Sequence, residues 1–378
     1  MALFTLQAEP RTRPWFMQGG ERRPEPTPFN KKSGRRIARL WPGEDPESDP
    51  ENDVSPSRLK KIVLYNGLNS WAPLKAGRES FLNAKCPVDT CMISTNKGDV
   101  ADADAVLFKD HFPTQAQPWR RPSSQVWILY FLECPYHTQH VKFGDVFNWT
   151  ATYRRDSDLV APYERWAYFD DSVKRQPAGS PAANINYAAN KTRQYARELS
   201  KYISVDVFGA CGTKLCPRTT ASKCFEMLDR EYKFYLAFEN SNCRDYITEK
   251  FFVNGLGHNI LPIVMGARPE DYAKSAPYKS YIHVDEFASP KELASYLHRL
   301  DVDDELYNEY FRWKGTGEFI NTYFFCRVCA LLHDPEAPRK NYRDVNEWWR
   351  GTGVCISGSW RQHRPLQRQH TPWIKRNN

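Results

Sequence analysis

Long hydrophobic runs are scarce in this 378-residue chain. The longest is VWILYFL, from Val126 to Leu132, which is far shorter than the roughly 20 apolar residues that a membrane helix needs. The opening stretch, MALFTLQAEPRTRPWF, also lacks the apolar centre of a signal peptide. We therefore expect these 378 residues to contain no membrane span and no cleavable leader.

Acidic residues are missing from the end of the chain, after Arg350. The basic residues there are Arg361, Arg364, Arg368, Lys375 and Arg376. This tail explains much of a formal net charge of only +8, so charge gives little support for nucleic-acid binding. We predict a basic C-terminal tail over residues 351–378 and no nucleic-acid partner. A zinc-bearing nucleic-acid binder is the distant alternative.

Cysteine, in contrast, is present ten times, an even number, and several cysteines form close pairs. Spacing alone leaves disulfides and a zinc site open. The sequons at Asn148 (NWT) and Asn190 (NKT) favour an oxidising secretory compartment and therefore disulfides. The candidates that would join the first domain to the end of the chain are Cys86, Cys91, Cys326 and Cys329. The candidates for a local link are Cys211, Cys216 and Cys224.

Composition divides the chain before the basic tail into three parts. Residues 1–56 are crowded with Pro, Arg, Glu and Asp and have too few apolar positions to offset chain entropy, which predicts a flexible stem or linker. Residues 57–185 carry short apolar strand candidates and read as one α/β domain. A stretch of small residues between Arg175 and Thr192 is the expected connection to a second α/β domain at 186–350.

The second domain alternates strand and helix candidates, which favours a parallel sheet with helices on both faces. One element is missing from this pattern. The helix that begins near Arg193 has no strand candidate before it, although a doubly wound domain usually opens with a strand that feeds its first helix. We therefore expect the second domain to lack its first strand.

Polar residues are dense in FENSNCRDYITEKFF, which follows an apolar strand ending at Glu239. We expect a helix to begin near Asp245, with Tyr246, Glu249 and Lys250 close to its first turn. The end of such a strand and the start of the next helix are where α/β proteins bind phosphates. Ordinary turn and capping chemistry is the alternative, but the density of polar groups favours a nucleotide site.

Glu133 is the second candidate, because it comes directly after VWILYFL, at the mouth of a buried strand. A carboxylate there could act as a general base, and a salt-bridged strand end is an equally good interpretation. We expect His137 and His140 to be structural. The DSD at Asp156 to Asp158 has the form of a metal-binding DxD, but similar triplets occur at two other places, so we give a metal little weight.

These segments together, with LECPYHT and FNWTATYRRDSD, closely resemble the α1,3-fucosyltransferases, especially those of invertebrates and plants that fucosylate the N-glycan core. The resemblance spans roughly residues 57 to 355. It implies two Rossmann-like domains of the glycosyltransferase B type and an inverting transfer from GDP-fucose without a DxD metal site. The motifs require no cofactor, and they are compatible with stimulation of the transfer by manganese.

The resemblance also implies roles for individual residues. Glu133 would be the base that deprotonates the acceptor hydroxyl. Asn240, Tyr246 and Glu249 would contact GDP or fucose, and Lys250 would take the charge of the leaving GDP. The expected acceptor is the 3-hydroxyl of GlcNAc, most specifically the Asn-linked GlcNAc of an N-glycan core on a glycoprotein. The expected location is the Golgi lumen, with membrane attachment only through an anchor that this chain does not contain.

One departure from the family pattern concerns the donor domain. Family members carry an apolar strand, a Ser-Asn turn and then a pyrophosphate-binding arginine at the place where Thr192 here leads straight into Arg193. Arg193 stands in for that arginine, one position off the expected register. The alternative function is therefore a catalytically impaired, splice-type variant that acts only as a glycan-binding or partner-binding protein.

Overall fold

The computed structural model describes residues 58–69, 71, 73–113, 121–177, 193–208, 216, 221–335, 337 and 339–362. It also describes the backbone of four short strands outside those ranges, at 29–30, 35–36, 187–189 and 374–376. In the part of the chain covered in this way, no helix has the length and apolar character needed to cross a membrane.

The strands, in chain order, are β1 (Phe29–Asn30), β2 (Arg35–Arg36), β3 (Lys60–Leu64), β4 (Cys91–Ser94), β5 (Ala105–Lys109), β6 (Val126–Phe131), β7 (Trp149–Thr152), β8 (Leu159–Val160), β9 (Trp166–Tyr168), β10 (Tyr187–Ala189), β11 (Phe234–Phe238), β12 (Asn242–Cys243), β13 (Leu261–Met265), β14 (Ile282–His283), β15 (Gly317–Phe319), β16 (Lys340–Tyr342), β17 (Cys355–Ile356) and β18 (Ile374–Arg376). The α-helices are α1 (Glu79–Asn83), α2 (Arg193–Leu199), α3 (Ala221–Glu231), α4 (Glu249–Phe251), α5 (Pro269–Ser275), α6 (Pro290–Val302), α7 (Asp304–Asn308), α8 (Phe324–His333) and α9 (Val345–Arg350).

The first sheet has six parallel strands in the order β4-β3-β5-β6-β7-β8. Its central strands are almost continuously apolar, as in the buried residues of VWILYF, because a parallel sheet is covered on both faces. Glu133 lies two residues beyond the end of β6, at the carboxyl edge of this sheet.

Both faces of the first sheet are covered partly by the end of the chain. Helix α8 packs with Ile62, Leu107 and Ile128 in one core cluster, and α9 packs on the other face with Phe108 and Phe131. Two disulfides, Cys86–Cys326 and Cys91–Cys329, fasten α8 to this domain. Helices α8 and α9, which were expected in the second domain, therefore pack on the first.

The second sheet has four parallel strands in the order β10-β11-β13-β14. Helices α2, α6 and α7 pack on one face, and α3, α4 and α5 pack on the other. This is a doubly wound arrangement, so the predicted fold class of two Rossmann-like α/β domains is confirmed.

The expected absence of the first strand in this domain needs correction. Strand β10 (Tyr187–Ala189) precedes α2 and pairs in parallel with β11, with Tyr187 opposite Phe234. It lies at the edge of the sheet and is only three residues long. Such a strand does not require the continuous apolar run that identifies a central strand in a sequence. The small-residue segment around it gave no such pattern, and the strand was missed.

Short antiparallel pairs complete the fold: β1 with β2, β9 with β15, β12 with β17, and β16 with β18. The β12–β17 pair matters for the site, because Asn242 and Cys243 lie within the polar segment that comes after β11.

Candidate active site

Glu133, which follows a strand of the first sheet, contacts the polar segment that follows β11 of the second sheet. The Tyr246 hydroxyl donates a hydrogen bond of 2.6 Å to Glu133 Oε1, and Asn240 Nδ2 donates one of 3.0 Å to the same oxygen. The backbone N–H of Cys134 donates a third, of 2.7 Å. Asn240 and Tyr246, more than 100 positions away in sequence, thus hold the Glu133 carboxylate. For the alternative of a salt-bridged strand end, the candidate partner among the described residues is His137, whose Nδ1 lies 4.0 Å from Oε1.

These hydrogen bonds keep Glu133 ionised. Partial burial would raise its pKa, but the hydrogen bonds from Tyr246, Asn240 and Cys134 outweigh burial and hold the pKa below the ordinary value for Glu. All three donors point at Oε1, and within the described ranges no hydrogen bond reaches Oε2. One oxygen therefore orients the carboxylate, while the other is available to accept a proton.

The helix after this segment begins later than the sequence predicted. Asp245 is not its N-cap; Thr248 is, with its side chain accepting from Lys250 N, and α4 starts at Glu249. Asp245 instead has a φ of +59°, and its N–H donates to Asp271 Oδ2 at 2.9 Å. Asp and Thr are both good N-caps, and this tertiary contact decides between them. Tyr246 consequently lies before the helix rather than in its first turn.

Glu239 is a fully buried carboxylate beneath this segment. It accepts from Thr248 N at 2.8 Å and Thr248 Oγ1 at 2.9 Å, and Lys250 Nζ lies 3.3 Å away. Burial raises the pKa of Glu239 to about 7 in spite of these partners. Burial would lower the pKa of Lys250, but the Glu239 and Glu249 carboxylates outweigh it and raise that pKa. Lys250 therefore stays protonated, whereas the charge of its partner Glu239 changes with pH near neutrality.

Gly266, at the end of β13, makes room for the Glu239 side chain. A Cβ at this position would lie 2.5 Å from Glu239 Cγ, and the φ of +153° is one that other residues rarely adopt. The glycine that ends LPIVMG therefore allows the two strands to bring Glu239 under the loop.

Arg155 links the domains on the far side of Tyr246. Its guanidinium lies 2.9 Å from Asp245 Oδ1 and donates to the carbonyl of Asp271 at 2.8 Å and to Ser275 Oγ at 3.2 Å. Burial and the neighbouring Asp271 carboxylate raise the pKa of Asp245 to about 6, although Arg155 opposes the shift. The sequence analysis missed this linkage, although Arg155 lies in the YRRDSD segment that it singled out.

The acids of that DSD triplet have structural partners. Asp156 pairs with the buried guanidinium of Arg154. Asp158 accepts from Thr150 N at 2.9 Å and from Tyr342 OH at 3.0 Å, and it lies 2.6 Å from Lys340 Nζ. Asp158 therefore holds β7 and β16 together, and Asp156 neutralises the buried Arg154.

The cysteine predictions have mixed outcomes. Cys86, Cys91, Cys326 and Cys329 form two disulfides, as expected, and Cys216 pairs with Cys224. Cys211 lies outside the described residues. A fourth disulfide, Cys243–Cys355, was not predicted, and it ties the polar segment to the end of the chain. The even number of cysteines was the one signal for it, because spacing does not give connectivity.

Two further predictions meet the structure only in part. Asn190 and the side chain of Arg193 lie outside the described residues, although α2 begins at Arg193. Asn148 is tied into the fold: its Nδ2 donates to the Lys340 carbonyl at 3.0 Å, and its Oδ1 accepts from Trp127 N at 2.8 Å. Both polar atoms of the Asn148 side chain therefore have partners within the fold, and its glycosylation stays a prediction.

The sequence also matches known families. Residues 58–164 match the model "Fucosyltransferase, N-terminal", and residues 173–348 match "Glycosyltransferase family 10 (fucosyltransferase) C-term". The chain is 56% identical to glycoprotein 3-alpha-L-fucosyltransferase A of Drosophila melanogaster, over 95% of this chain and 77% of that protein.

This chain belongs to glycosyltransferase family 10, the fucosyltransferases. A second family 10 relative, alpha-(1,3)-fucosyltransferase 7 of Rattus norvegicus, is 36% identical over 69% of this chain and 72% of its own length. A crystal structure of an alpha1,3-fucosyltransferase with GDP-fucose is 15% identical, covers 76% of this chain and 94% of its own, and superposes with a TM-score of 0.46. The resemblance to this family is thus confirmed.

Proposed function

We propose that this family 10 member transfers L-fucose from GDP-fucose to the 3-hydroxyl of a GlcNAc residue on a glycoprotein, with inversion at the fucose C1. The finer proposal is that the acceptor is the Asn-linked GlcNAc of the N-glycan core. The similarity to the Drosophila glycoprotein 3-alpha-L-fucosyltransferase A supports a glycoprotein acceptor.

The observation that carries this proposal is the position of Glu133. Its carboxylate is held by Asn240 and Tyr246, which belong to the segment expected to bind the donor. An inverting transfer needs a base on the acceptor side and a leaving nucleotide on the opposite face of the sugar. Glu133 meets the first of these requirements, because it can act as the base and hydrogen-bonds directly to the loop on the donor side.

The reaction would proceed as a single displacement. The acceptor O3 attacks C1 of fucose while the bond from C1 to the phosphate oxygen of GDP breaks. The O3 proton passes to Glu133, and the bonding electrons leave with GDP. Lys250, whose side chain is largely buried beside Glu239, would offset the negative charge that develops on the diphosphate. Glu249, which is exposed at the start of α4, would face the positive charge on the sugar ring.

We further propose that no metal is required for this step and that stimulation by manganese, if present, acts on the charge of GDP. The proposed location is the Golgi lumen. Four disulfides support an oxidising compartment, since such bonds rarely persist in the cytosol.

The test is transfer of labelled fucose from GDP-fucose to a core N-glycan acceptor. Glu133→Gln should lower kcat by at least about 1000-fold, because it removes the base without changing the size of the side chain. Glu226→Gln, on the exposed surface of α3, is the matched control and should act like the unmodified protein. Equal rates for Glu133→Gln and Glu226→Gln would refute the role of Glu133.

The non-catalytic alternative rested on a missing strand, and β10 weakens its basis. Thermal melting with GDP separates the two functions. A competent donor site should raise the midpoint as GDP increases, by mass action, whereas a protein that has lost the donor site should not respond at millimolar GDP.

A further inference from the structure

Three different potential metal ligands meet just beyond the carboxyl end of β6. A carboxylate oxygen of Glu133, Cys134 Sγ and His137 Nδ1 all lie within 4.8 Å of one another. We propose that these residues form an inhibitory Zn²⁺ site, in which the ion captures the carboxylate that would otherwise accept the acceptor proton. The inhibitory effect rests on the proposed function, but the binding of the ion does not.

The local backbone explains why the three side chains converge. Cys134 precedes a short 3₁₀ helix, Pro135–His137, and His137 N donates to the Cys134 carbonyl at 3.0 Å. Side chains three residues apart eclipse one another in a 3₁₀ turn, so sulfur and imidazole lie on the same side. Glu133 is adjacent to Cys134, and its Oε1 accepts the Cys134 N–H.

The distances are close to those of a zinc site. Cys134 Sγ lies 3.1 Å from His137 Nδ1, and Glu133 Oε1 lies 4.0 Å from the same nitrogen. A tetrahedral Zn²⁺ holds sulfur and nitrogen ligands about 3.5 Å apart, so each of these two distances is within about 1 Å of its value in a zinc site. The His137 side chain is 54% exposed and can make this adjustment from the solvent side.

The ligand types select zinc over the hard cations. Thiolate and imidazole suit Zn²⁺, whereas Mn²⁺ and Mg²⁺ prefer oxygen ligands. Three protein ligands leave a fourth position open for water or for the acceptor hydroxyl. Ser241 Oγ, 3.1 Å from Cys134 Sγ, can donate a hydrogen bond to the thiolate once its proton has gone to solvent. Cys134 is the free cysteine of the described residues, so its sulfur is not held in a disulfide.

Cobalt binding tests the site without reference to activity. The full chain titrated with Co²⁺ should develop a thiolate-to-cobalt charge-transfer band at one equivalent, and Zn²⁺ should remove that band. His137→Gln should weaken cobalt binding by about tenfold or more. His140→Gln, a matched exposed histidine outside the cluster, should bind cobalt as the unmodified protein does.

Cys134→Ser should abolish the band, and its thermal midpoint shows whether the variant is folded. Should this buried position not tolerate serine, the exposed His137 variant still decides the matter. The absence of a band at saturating Co²⁺, or equal cobalt affinity in His137→Gln and His140→Gln, overturns the proposed site.

Inhibition of fucose transfer is the second measurement. Each variant's rate is divided by its own rate in the presence of a chelator. The Zn²⁺ concentration for half-inhibition should rise at least about tenfold in His137→Gln and stay unchanged in His140→Gln, while Mn²⁺ should not inhibit. Cobalt binding without any transferase activity would refute the proposed function and leave the metal site standing. Transfer that is insensitive to Zn²⁺ in a chain that binds cobalt at Cys134 would refute the inhibitory role.

Discussion

The hydroxyl of Tyr246, in the second domain, donates a 2.6 Å hydrogen bond to the carboxylate of Glu133, in the first. Tyr246 was expected to touch the donor, which stays a prediction, and the structure shows its contact with the proposed base. Its ring is buried and lies 5.0 Å from that of Tyr153, so the hydroxyl has little freedom to move.

Tyr246→Phe therefore tests the positioning of the base. A hydrogen bond to a charged group contributes about 1.5–3 kcal/mol, so kcat should fall about ten- to hundredfold, with a small change in the inhibition constant of GDP. Steady-state kinetics with GDP as inhibitor measure both. Tyr202→Phe, at an exposed tyrosine, is the control. A loss of GDP affinity at constant kcat would instead place Tyr246 in the donor site.

Arg155→Gln tests the linkage between domains. The change leaves the buried carboxylates of Asp245 and Asp271 without one of their cations, which should cost roughly 2–3 kcal/mol of unfolding free energy. The value of kcat/KM should also fall, because Asp245 belongs to the loop that presents Tyr246. Urea denaturation and kinetics give the two quantities. Arg230→Gln, at an exposed arginine of α3, is the control, and equal denaturation midpoints for the two variants would contradict this prediction.

Replacing Cys243 and Cys355 together by serine tests the disulfide behind the polar loop. The cysteines are 112 positions apart, and the chain-entropy description then predicts a loss of about 5 kcal/mol. The KM for GDP-fucose should rise as well, because Asn240 and Tyr246 flank Cys243. The paired replacement of Cys216 and Cys224, separated by 8 positions, should cost only about half as much and leave that KM unchanged. The same KM in both double variants would show that the disulfide does not shape the donor loop.

Glu239 should make stability depend on pH. Its pKa rises from 4.5 to about 7 on folding, so the folded protein binds its proton more tightly than the unfolded chain does. The resulting stabilisation, of about 3 kcal/mol, is complete below about pH 4.5 and is lost as the pH rises through 7. Glu239→Gln should flatten this part of the profile. Denaturation midpoints between pH 4.5 and 8 check it, and parallel profiles for the two proteins would exclude Glu239 as the source.

The apolar periodicity of the chain was sufficient to predict two α/β domains and the strand ends at Glu133 and Glu239. That these two strand ends lie close together was not derivable from either sheet alone, since Glu133 and Glu239 follow strands of different domains. It came from the resemblance to a family and is confirmed by the contacts of Asn240 and Tyr246 with Glu133.

What the sequence could not show depends on contacts between distant segments. Asp245 and Thr248 have equal capping chemistry, and the choice between them is made by Asp271. Strand β10 is an edge strand in a small-residue segment, where local pattern carries little information. The partner of Cys243 lies 112 positions away, and nothing in its neighbourhood identifies it.

The return of α8 to the first domain bears on how the protein is made. Cys86 and Cys91 must wait for partners that are 240 and 238 positions later in the chain. During synthesis, the surface of the N-terminal sheet that lies under α8 therefore remains uncovered until α8 has emerged. A nascent chain that stops before Cys326 therefore carries two thiols without their partners beside an open apolar surface.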